Sequence, residues 1–369
     1  MRQLSQFAIA RRAVLAGACA GVASGCVSPG SLDKAVTDAE TIGRLAAREW
    51  ASRPEITPYV IPEAVAPHYA EACTALGAAR LAAALGDPAI ASLVRERWER
   101  AATMENTGNH VDANVIGVWG LVSGSATGRD YGLAMADKQW ADVDETGLTR
   151  QARFWIDDIY MIASLQAQAW RATGEARFLD RGALMATRYL ARLQQVNGLF
   201  HHALDSPFFW ARGNGWVAAG LAELLSVLPR GHSDYATIHA GFARMAEALV
   251  RTQRPDGLWG QLIDRPEFWS ESSGSAMFAY AFLRGAHLGF LPGEPYRQAA
   301  LRAFAGLKPR VEPDGKLQGV CVGTGRGDSL QYYFDRPTVT GDLHGQAPLL
   351  WLCSELLAQS PILAASGRA

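Results

Sequence analysis

The stretch "VNGLFHHALDSPFFWARGNGWVAAGLAELL", residues 196–225, contains the pattern that decides the fold. It begins with a tight Asn-Gly turn and continues through a loop rich in aromatic residues. A run of small and apolar residues follows, and it predicts a helix over residues 216–228. Because this run is apolar on nearly all sides, we expect the helix to be buried between others. A more charged helix is predicted over residues 235–253, so the two form a hairpin of one inner and one outer helix.

The same order of features is repeated along the chain. It returns in residues 144–170, in residues 255–283 and from residue 313 onward. The glycines of the four turns are separated by 51, 59 and 58 residues, and they are Gly147, Gly198, Gly257 and Gly315. The segments 69–85 and 88–104 are less distinct copies nearer the start of the chain.

A chain of 369 residues holds about six units of this length. Six helical hairpins predict an all-α fold, and they can form either a closed (α/α)6 toroid or an open solenoid. We favour the closed toroid, because the long loops rich in Gly and Trp all fall at one end of the inner helices. Such loops would form a single funnel.

The first residues have the features of an export signal. A basic pair, Arg11 and Arg12, precedes an apolar run of small residues that ends at Ser24-Gly25-Cys26. The arginine pair resembles a twin-arginine signal, and the end of the run resembles a bacterial lipobox with Cys26 as the lipidated residue. We therefore expect an exported periplasmic protein in which residues 1–25 are the signal peptide, 26–45 a tether and 46–369 the (α/α)6 domain. Lipid on Cys26 would attach it to a membrane, and ordinary cleavage to a soluble periplasmic protein is the alternative.

Charge and composition exclude several classes of function. The formal net charge of −1 gives no basic surface for a nucleic-acid partner. The 5 cysteines have neither metal-ligand spacing nor the pattern of a disulfide framework. No metal and no cofactor is expected, and the sequence gives no signal for an oligomeric state. The 11 tryptophans fit both a large core and a sugar-binding groove, where an indole face meets a pyranose ring.

Polar side chains stand at the predicted starts of the inner helices. If these helices begin at the same end, their leading residues face one cavity, and those residues are 109–112, 155–158, 210–214, 269–272 and 342–345. The pair His201 and His202 lies in a preceding loop. Several carboxylates, imidazoles and indoles with one arginine are the makeup of a carbohydrate site.

Two of these acids, Asp112 and Asp157, lie in otherwise apolar stretches. Each is either a helix cap or a functional group. Two carboxyls in one Trp-lined cavity suggest acid–base chemistry, because the charge of one raises the pKa of the other. Asp157 and Asp158 diverge by roughly 100° around a helix, so at most one of them faces the cavity. We expect it to be Asp157, which directly follows a Trp-Ile pair. Asp158 is then free to cap the helix or to pair nearby.

Arg212 lies between Trp210 and Trp216. An arginine in an aromatic cavity suits an anionic ligand, because its guanidinium fork matches a carboxylate. The alternative is an arginine stacked on tryptophan for packing. For His202 the alternative to a role in binding is a loop histidine bonded to the backbone.

The motifs "WIDDIYM", "GLFHHALD", "FWARGNGWV" and "SGSAMFAYA" together resemble glycoside hydrolase family 105. These enzymes are the unsaturated rhamnogalacturonyl hydrolases, related more distantly to the unsaturated glucuronyl hydrolases of family 88. The resemblance runs from about residue 50 to the end of the chain, and it implies the (α/α)6 fold. It also implies hydration of the C4=C5 enol ether in a 4,5-unsaturated uronic acid that a polysaccharide lyase leaves at a non-reducing end.

The resemblance further implies the roles of individual residues. Asp157 would donate a proton to C4, and Asp112 would be the assisting carboxylate. The substrate-binding residues would be Trp155, His202, Trp210, Arg212 and Trp216. The resemblance implies no metal or cofactor, and the partner is an unsaturated oligosaccharide.

Rhamnogalacturonan fragments are the family's commonest substrate, and ulvan-type and other glucuronyl fragments are alternatives. Two other readings stay open. The first is an inverting glycosidase on the same toroid, with its two carboxyls roughly 6.5–9.5 Å apart. The second is a non-catalytic sugar-binding lipoprotein.

Overall fold

A computed structural model describes residues 29–359 of the chain. The predicted export signal and Cys26 lie outside these residues. The described helices are α1 (Pro29–Ser52), α2 (Tyr69–Leu85), α3 (Pro88–Ala101), α4 (Val111–Asn114), α5 (Gly117–Val122), α6 (Ala126–Lys138), α7 (Asp158–Thr173), α8 (Ala176–Leu193), α9 (Ala211–Leu225), α10 (Tyr235–Thr252), α11 (Ser272–Leu288), α12 (Tyr296–Leu307), α13 (Leu330–Phe334) and α14 (Leu343–Ala358). A 3-10 turn spans Lys308–Arg310.

In the part of the chain that the structure describes, six short strands pair into three antiparallel hairpins. Strand β1 (Pro58–Ile61) pairs with β2 (Ala64–Pro67), β3 (Trp259–Gly260) with β4 (Ser270–Glu271), and β5 (Val320–Cys321) with β6 (Thr338–Val339). The first hairpin precedes α2, and the other two lie in the long loops that precede α11 and α14. All three therefore belong to the loops rather than to the helical body.

The helices form a closed double ring. The inner ring runs through α2, α5, α7, α9, α11 and α14, and each of these helices packs against the next. The ring closes because α14 packs against α2. The predicted (α/α)6 toroid is thus confirmed, and the open solenoid does not occur.

Burial separates the inner helices from the outer ones. All fifteen residues of α9 are buried, whereas α10 buries one stripe that includes Ile238, Phe242 and Met245. Small residues let neighbouring inner helices approach closely. At Gly220 of α9, an added Cβ would lie 2.8 Å from the backbone oxygen of Ile159 in α7. The run of small residues in α9 is therefore what an inner-ring helix needs in order to touch its neighbours.

The four repeated glycines occupy one structural position. Their φ angles are 81°, 92°, 82° and 91° at Gly147, Gly198, Gly257 and Gly315, a left-handed region that favours glycine. An added Cβ at Gly198 would lie 2.5 Å from a backbone oxygen of α10, and one at Gly257 would lie 2.3 Å from a backbone oxygen of α12. At Gly315 the same contact falls on α1, at 2.7 Å from the oxygen of Leu45. Helix α1 is therefore the outer helix of the last repeat.

This position of α1 corrects the expectation that residues 26–45 form a tether. From Pro29 onward these residues belong to a helix that packs against α14 and buries Ala39, Ala46 and Trp50. The physical reason is that α14 has no helix after it among the described residues, so the start of the chain covers its outer face. Among the described helices, none is long and apolar enough to cross a membrane.

Candidate active site

A cavity of about 630 Å³ lies where the inner helices begin. Five of the seven side chains predicted for catalysis or binding line it, namely Asp112, Trp155, Asp157, Trp210 and Arg212. The other lining residues are Tyr59, Ile61, Pro62, Glu63, His68, Tyr69, His110, Arg153, Met161, Gly323, Thr324 and His344. His202 and Trp216 lie behind the cavity wall.

Asp157 stands immediately before α7, and its side chain makes no capping hydrogen bond. The side chain is 14% exposed, and its inward oxygen Oδ2 has no hydrogen-bond partner within residues 29–359. Burial raises the pKa of Asp157 to about 7. The charge of Arg153 opposes this rise, whereas the charge of Asp112 contributes to it. Asp157 can therefore be a protonated acid near neutral pH.

Asp112 lies in the first turn of α4, and the cap of that helix is His110, whose Nδ1 accepts from the Asp112 backbone N–H. The Oδ2 atom of Asp112 accepts a hydrogen bond from the Tyr59 hydroxyl at 2.8 Å and one from Nη1 of Arg153 at 3.2 Å. The carboxylate is thus fixed by two partners, and it presents a negative charge to the cavity.

Arg153 connects the acids of the site, and the sequence analysis missed it. Its Nη2 donates to Oδ1 of Asp158 at 2.6 Å, and its backbone N–H donates to Oδ2 of the same residue at 2.8 Å. Tyr189 also donates to Asp158, at 2.6 Å. As expected, Asp158 pairs nearby and does not face the cavity. One guanidinium therefore holds both Asp112 and Asp158 in fixed positions.

The backbone next to this group is strained. Phe154 has a φ of 55°, which is unfavourable for an aromatic residue and costs of order 1–3 kcal/mol. Its ring stacks on Tyr189 at 4.8 Å, and its N–H donates to the Tyr189 hydroxyl at 3.0 Å. The resulting reversal of the chain places the Arg153 guanidinium over the Trp155 ring, 4.9 Å from its centroid. Such a strained residue beside an acid is typical of a functional site.

His202 lies beneath Asp157 rather than in the open cavity. Its side chain is fully buried, and its Nε2 lies 3.9 Å from Oδ2 of Asp157. The ring packs against Trp210, with 4.6 Å between the centroids. Burial lowers the pKa of His202 to about 3, and the charge of Arg212 acts in the same direction. The imidazole is therefore neutral, and it borders the acid from inside the protein.

Arg212 lies in the first turn of α9, because that helix begins at Ala211 rather than at the predicted residue 216. Its guanidinium stacks over Trp210 at 4.7 Å. It donates to the backbone oxygen of Val322 at 2.7 Å and also to that of Cys321. Arg212 thus brings a positive charge to the cavity wall while it holds the segment that leads to Gly323 and Thr324.

Trp216 does not line the cavity, which corrects the expectation that it flanks a bound sugar ring. It is fully buried in the core, where it contacts Tyr160 at 5.0 Å and Trp351 at 6.0 Å between ring centroids. With α9 starting at residue 211, Trp216 lies four positions after Arg212 on the same face of the helix. That is one turn, about 6 Å, deeper than Arg212. Tyr69, 6.3 Å from Trp216, lies between it and the cavity.

A second polar group, built on Tyr69 and His344, also lines the cavity. The Tyr69 hydroxyl and Nε2 of His344 are 2.6 Å apart, and Nδ1 of His344 lies 2.6 Å from Oδ1 of Asp342. His344 was expected among the leading residues, but Tyr59, His68 and Tyr69 were not, because they belong to the β1–β2 hairpin and the start of α2. The prolines that flank this short hairpin, directly before an inner helix, are the sequence feature that could have indicated these three residues.

The described residues contain no cluster of three or more His, Cys, Asp or Glu side chains that could hold a metal ion. Their arrangement suits acid–base chemistry on a neutral or anionic ring. An uncapped acid with a raised pKa lies beside a fixed carboxylate, and the indoles of Trp155 and Trp210 form part of the wall. A volume of about 630 Å³ is in the usual range of small-molecule sites.

Comparisons with known proteins agree with this picture. The family model described as Glycosyl Hydrolase Family 88 matches residues 41–359. The chain is 30% identical to Protein Atu3128 of Agrobacterium fabrum over 52% of its own length and 96% of that protein. It is 28% identical to the unsaturated rhamnogalacturonyl hydrolase YesR of Bacillus subtilis, over 46% of its own length and 50% of that protein. A family 105 glycoside hydrolase structure from C. acetobutylicum superposes with a TM-score of 0.73 at 23% identity, covering 85% of this chain and 98% of that one, and so shares the fold.

Proposed function

Because the chain belongs to Glycosyl Hydrolase Family 88 and is a glycoside hydrolase, we propose that it acts on lyase-generated oligosaccharides. It releases the 4,5-unsaturated uronic acid from their non-reducing end by hydrating the C4=C5 enol ether. The observation that carries this proposal is the Asp157 carboxyl, which faces the cavity without a capping bond and has a pKa raised by burial to about 7. Protonation of an enol ether needs an acid that still holds its proton near the working pH.

The reaction uses Asp157 twice. The protonated carboxyl donates its proton to C4, and positive charge develops at C5 next to the ring oxygen. A water molecule then adds to C5 and returns one proton to the Asp157 carboxylate, so the acid is regenerated. The hemiketal at C5 opens to a ketone, and C1 becomes an aldehyde as it expels the remaining sugar as an alcohol.

Asp112 assists through its charge. It is fixed by Tyr59 and Arg153 in the same cavity, and its charge raises the pKa of Asp157. A fixed carboxylate also stabilises positive charge that develops at C5, because the group is already oriented before the reaction. Asp112 therefore has a role that does not require it to exchange a proton.

The cavity wall suits an anionic sugar. Trp155 and Trp210 are part of it, and Arg212 brings a positive charge. The likeness to a protein named unsaturated rhamnogalacturonyl hydrolase supports a rhamnogalacturonan disaccharide as the substrate. Unsaturated glucuronyl fragments, including those from ulvan-type polysaccharides, are the alternative substrates within the same reaction.

A panel of lyase-made unsaturated disaccharides tests the proposal, with each compound paired with its saturated counterpart. We expect the near-ultraviolet absorbance of the enoate to disappear for at least one unsaturated compound, while its saturated counterpart stays intact. Asp157→Asn should lower kcat by at least about 10³-fold, a size reasonable for loss of a general acid. Asp264→Asn, a change at an exposed aspartate, is the matched control and should keep normal activity. Cleavage of the saturated compounds would instead indicate an inverting glycosidase, and no turnover of any compound would favour the sugar-binding reading.

We also propose that the protein is exported and carries lipid on Cys26. The support is the sequence pattern of residues 1–26, with its arginine pair and lipobox-like end. Metabolic labelling with radioactive palmitate tests this, and we expect label on the wild-type protein and none on Cys26→Ser. Absence of label from a wild-type protein recovered in the periplasm would indicate ordinary signal cleavage.

A further inference from the structure

Tyr333 of α13 reaches the inner side of the active site. Its side chain is fully buried, and its hydroxyl oxygen lies close to three polar groups. Nδ1 of His202 is 2.6 Å away, Oγ of Ser206 is 2.9 Å away, and the backbone nitrogen of Gly327 is 3.2 Å away. The loop that carries α13 therefore contacts the histidine that borders Asp157.

The hydrogen atoms in this cluster can be assigned by counting donors. Ser206 has one hydroxyl hydrogen, and its Oγ lies 2.7 Å from the carbonyl oxygen of Gly327, which can only accept. The Ser206 hydrogen is used there, so the Tyr333 hydroxyl must donate to Oγ of Ser206. The Gly327 N–H donates to the Tyr333 oxygen. The short contact between Tyr333 and His202 then requires a hydrogen on Nδ1 of His202.

This assignment determines what His202 presents to Asp157. A neutral imidazole carries one ring hydrogen, so a hydrogen on Nδ1 leaves Nε2 as an acceptor. Nε2 lies 3.9 Å from Oδ2 of Asp157, and neither atom has a hydrogen-bond partner among the described residues. An ionised Asp157 would thus face a second electron-rich atom, whereas a protonated Asp157 avoids that contact.

We propose that Tyr333 is a positioning residue that fixes the Nδ1–H tautomer of His202, so that the imidazole gives the Asp157 carboxylate no donor and favours its protonated form. The value of this tautomer for catalysis rests on the proposed function, because only there must Asp157 donate a proton. It also bears on the second half of the reaction. Without a hydrogen bond from His202, the carboxylate stays a stronger base toward the attacking water.

Other charged and titratable groups act on the same pair. Those that act on Asp157 from α4, the segment before α7, the start of α7 and α9 are Asp112, Arg153, Asp158 and Arg212. Those that act on His202 are Asp205, Arg212 and Arg326. The Tyr333 hydroxyl makes no hydrogen bond to any of these groups in the described residues, so its removal should act on Asp157 chiefly through His202.

Nuclear magnetic resonance on the substrate-free protein tests the tautomer directly. Long-range ¹H–¹⁵N spectra of histidine-labelled protein distinguish the two tautomers, and loss of one signal in His202→Gln assigns the resonance. We expect the Nδ1–H form in the wild-type protein and the Nε2–H form in Tyr333→Phe. Tyr332→Phe is the matched control. It removes a neighbouring hydroxyl that accepts the Gly325 N–H at 3.1 Å, and it should leave His202 unchanged.

The second readout is the pKa of Asp157, followed by the ¹³C shift of its carboxyl carbon. In Tyr333→Phe an Nε2–H would donate to the carboxylate, and we expect the pKa of Asp157 to fall by roughly 1 unit. An Nε2–H tautomer in the wild-type protein, or an unchanged tautomer in a folded Tyr333→Phe, would overturn the proposal. Neither readout uses substrate, so the tautomer can be as proposed while the disaccharide panel fails, and the reverse also holds.

Discussion

Arg153 and Asp112 form an ion pair in which Nη1 of the arginine lies 3.2 Å from Oδ2 of the aspartate. The same guanidinium binds Asp158, which is fully buried. Asp112 and Asp158 are therefore held by a shared cation. Asp157 lies beside them with an unbonded oxygen, and this difference in surroundings separates the acid from the assisting carboxylate.

The dependence of kcat/KM on pH should reflect the ionisation of the Asp157 carboxyl. Because the reaction needs the protonated acid and the pKa of Asp157 is about 7, kcat/KM should be flat below that pH and fall above it. In Asp112→Asn the charge that raises this pKa is lost, so the falling limb should move to lower pH. Rate measurements across pH 4–9 check this, with Asp264→Asn as the unchanged control. A limb that stays in place or moves to higher pH in Asp112→Asn would contradict the assignment.

Protein stability should depend on pH through the same residue. A carboxyl whose pKa is about 4 in the unfolded chain and about 7 in the folded protein makes the folded state bind more protons between these values. Its contribution to stability is therefore present at low pH and is lost as the pH rises from about 4 to 7. We expect Asp157→Asn to be more stable than the wild type at pH 8, by about 1–4 kcal/mol, and this advantage should shrink toward pH 4. Urea unfolding at both pH values measures it, and a constant difference would contradict the raised pKa.

Arg212 should affect both stability and substrate binding. Its guanidinium bonds the backbone oxygens of Cys321 and Val322, so Arg212→Ala leaves buried acceptors without partners. We expect a loss of about 2–4 kcal/mol in the free energy of unfolding, together with a higher KM. Arg326→Ala is the matched control, because that exposed arginine also lies at the cavity rim over Trp155. Its removal should cost less than about 1 kcal/mol, and equal losses from the two changes would show that the carbonyl contacts of Arg212 are unimportant.

Substitutions of Trp210 and Trp216 should differ in their effects on stability and on KM. Trp216 is enclosed by core aromatic residues, so Trp216→Phe should lower the free energy of unfolding by about 1–3 kcal/mol and leave KM within about twofold. Trp210 lines the cavity and packs on His202, so Trp210→Phe should change KM several-fold. Denaturant titration and steady-state kinetics on both variants check this. The reverse pattern would mean that Trp216 reaches the substrate.

The features of the fold that repeat along the sequence could be predicted from it. The glycines at 147, 198, 257 and 315 mark turns because their backbone conformation favours glycine, and that requirement is local. Runs of small residues indicated the inner helices, because helices that approach closely need small side chains where they touch. The position of α1 as an outer helix could not be predicted, since it depends on packing against α14, a helix about 300 residues away. Its buried stripe of alanines is a weak signal without that partner.

For the site, helix geometry predicted that at most one of Asp157 and Asp158 faces the cavity, and Asp157 was chosen because it directly follows a Trp-Ile pair. The structure places Asp157 on the cavity and Asp158 in an ion pair. Arg153 was missed because its role depends on Asp112, 41 residues earlier in the chain. Trp216 was misplaced because the prediction started α9 five residues late, and that error hid the full turn between the cavity wall and the indole. Long-range pairing and helix starts are the features that a single sequence specifies least.

Hydration of the C4=C5 enol ether is tested most directly by following that double bond during turnover in D2O. The unsaturated disaccharide that the enzyme consumes is followed by ¹H NMR at early conversion, before exchange next to the new ketone. We expect the vinyl signal at C4 to disappear and one deuterium to appear at a single C4 position of the released sugar. Release of a uronic acid that keeps its C4=C5 double bond and carries no deuterium at C4 would contradict it.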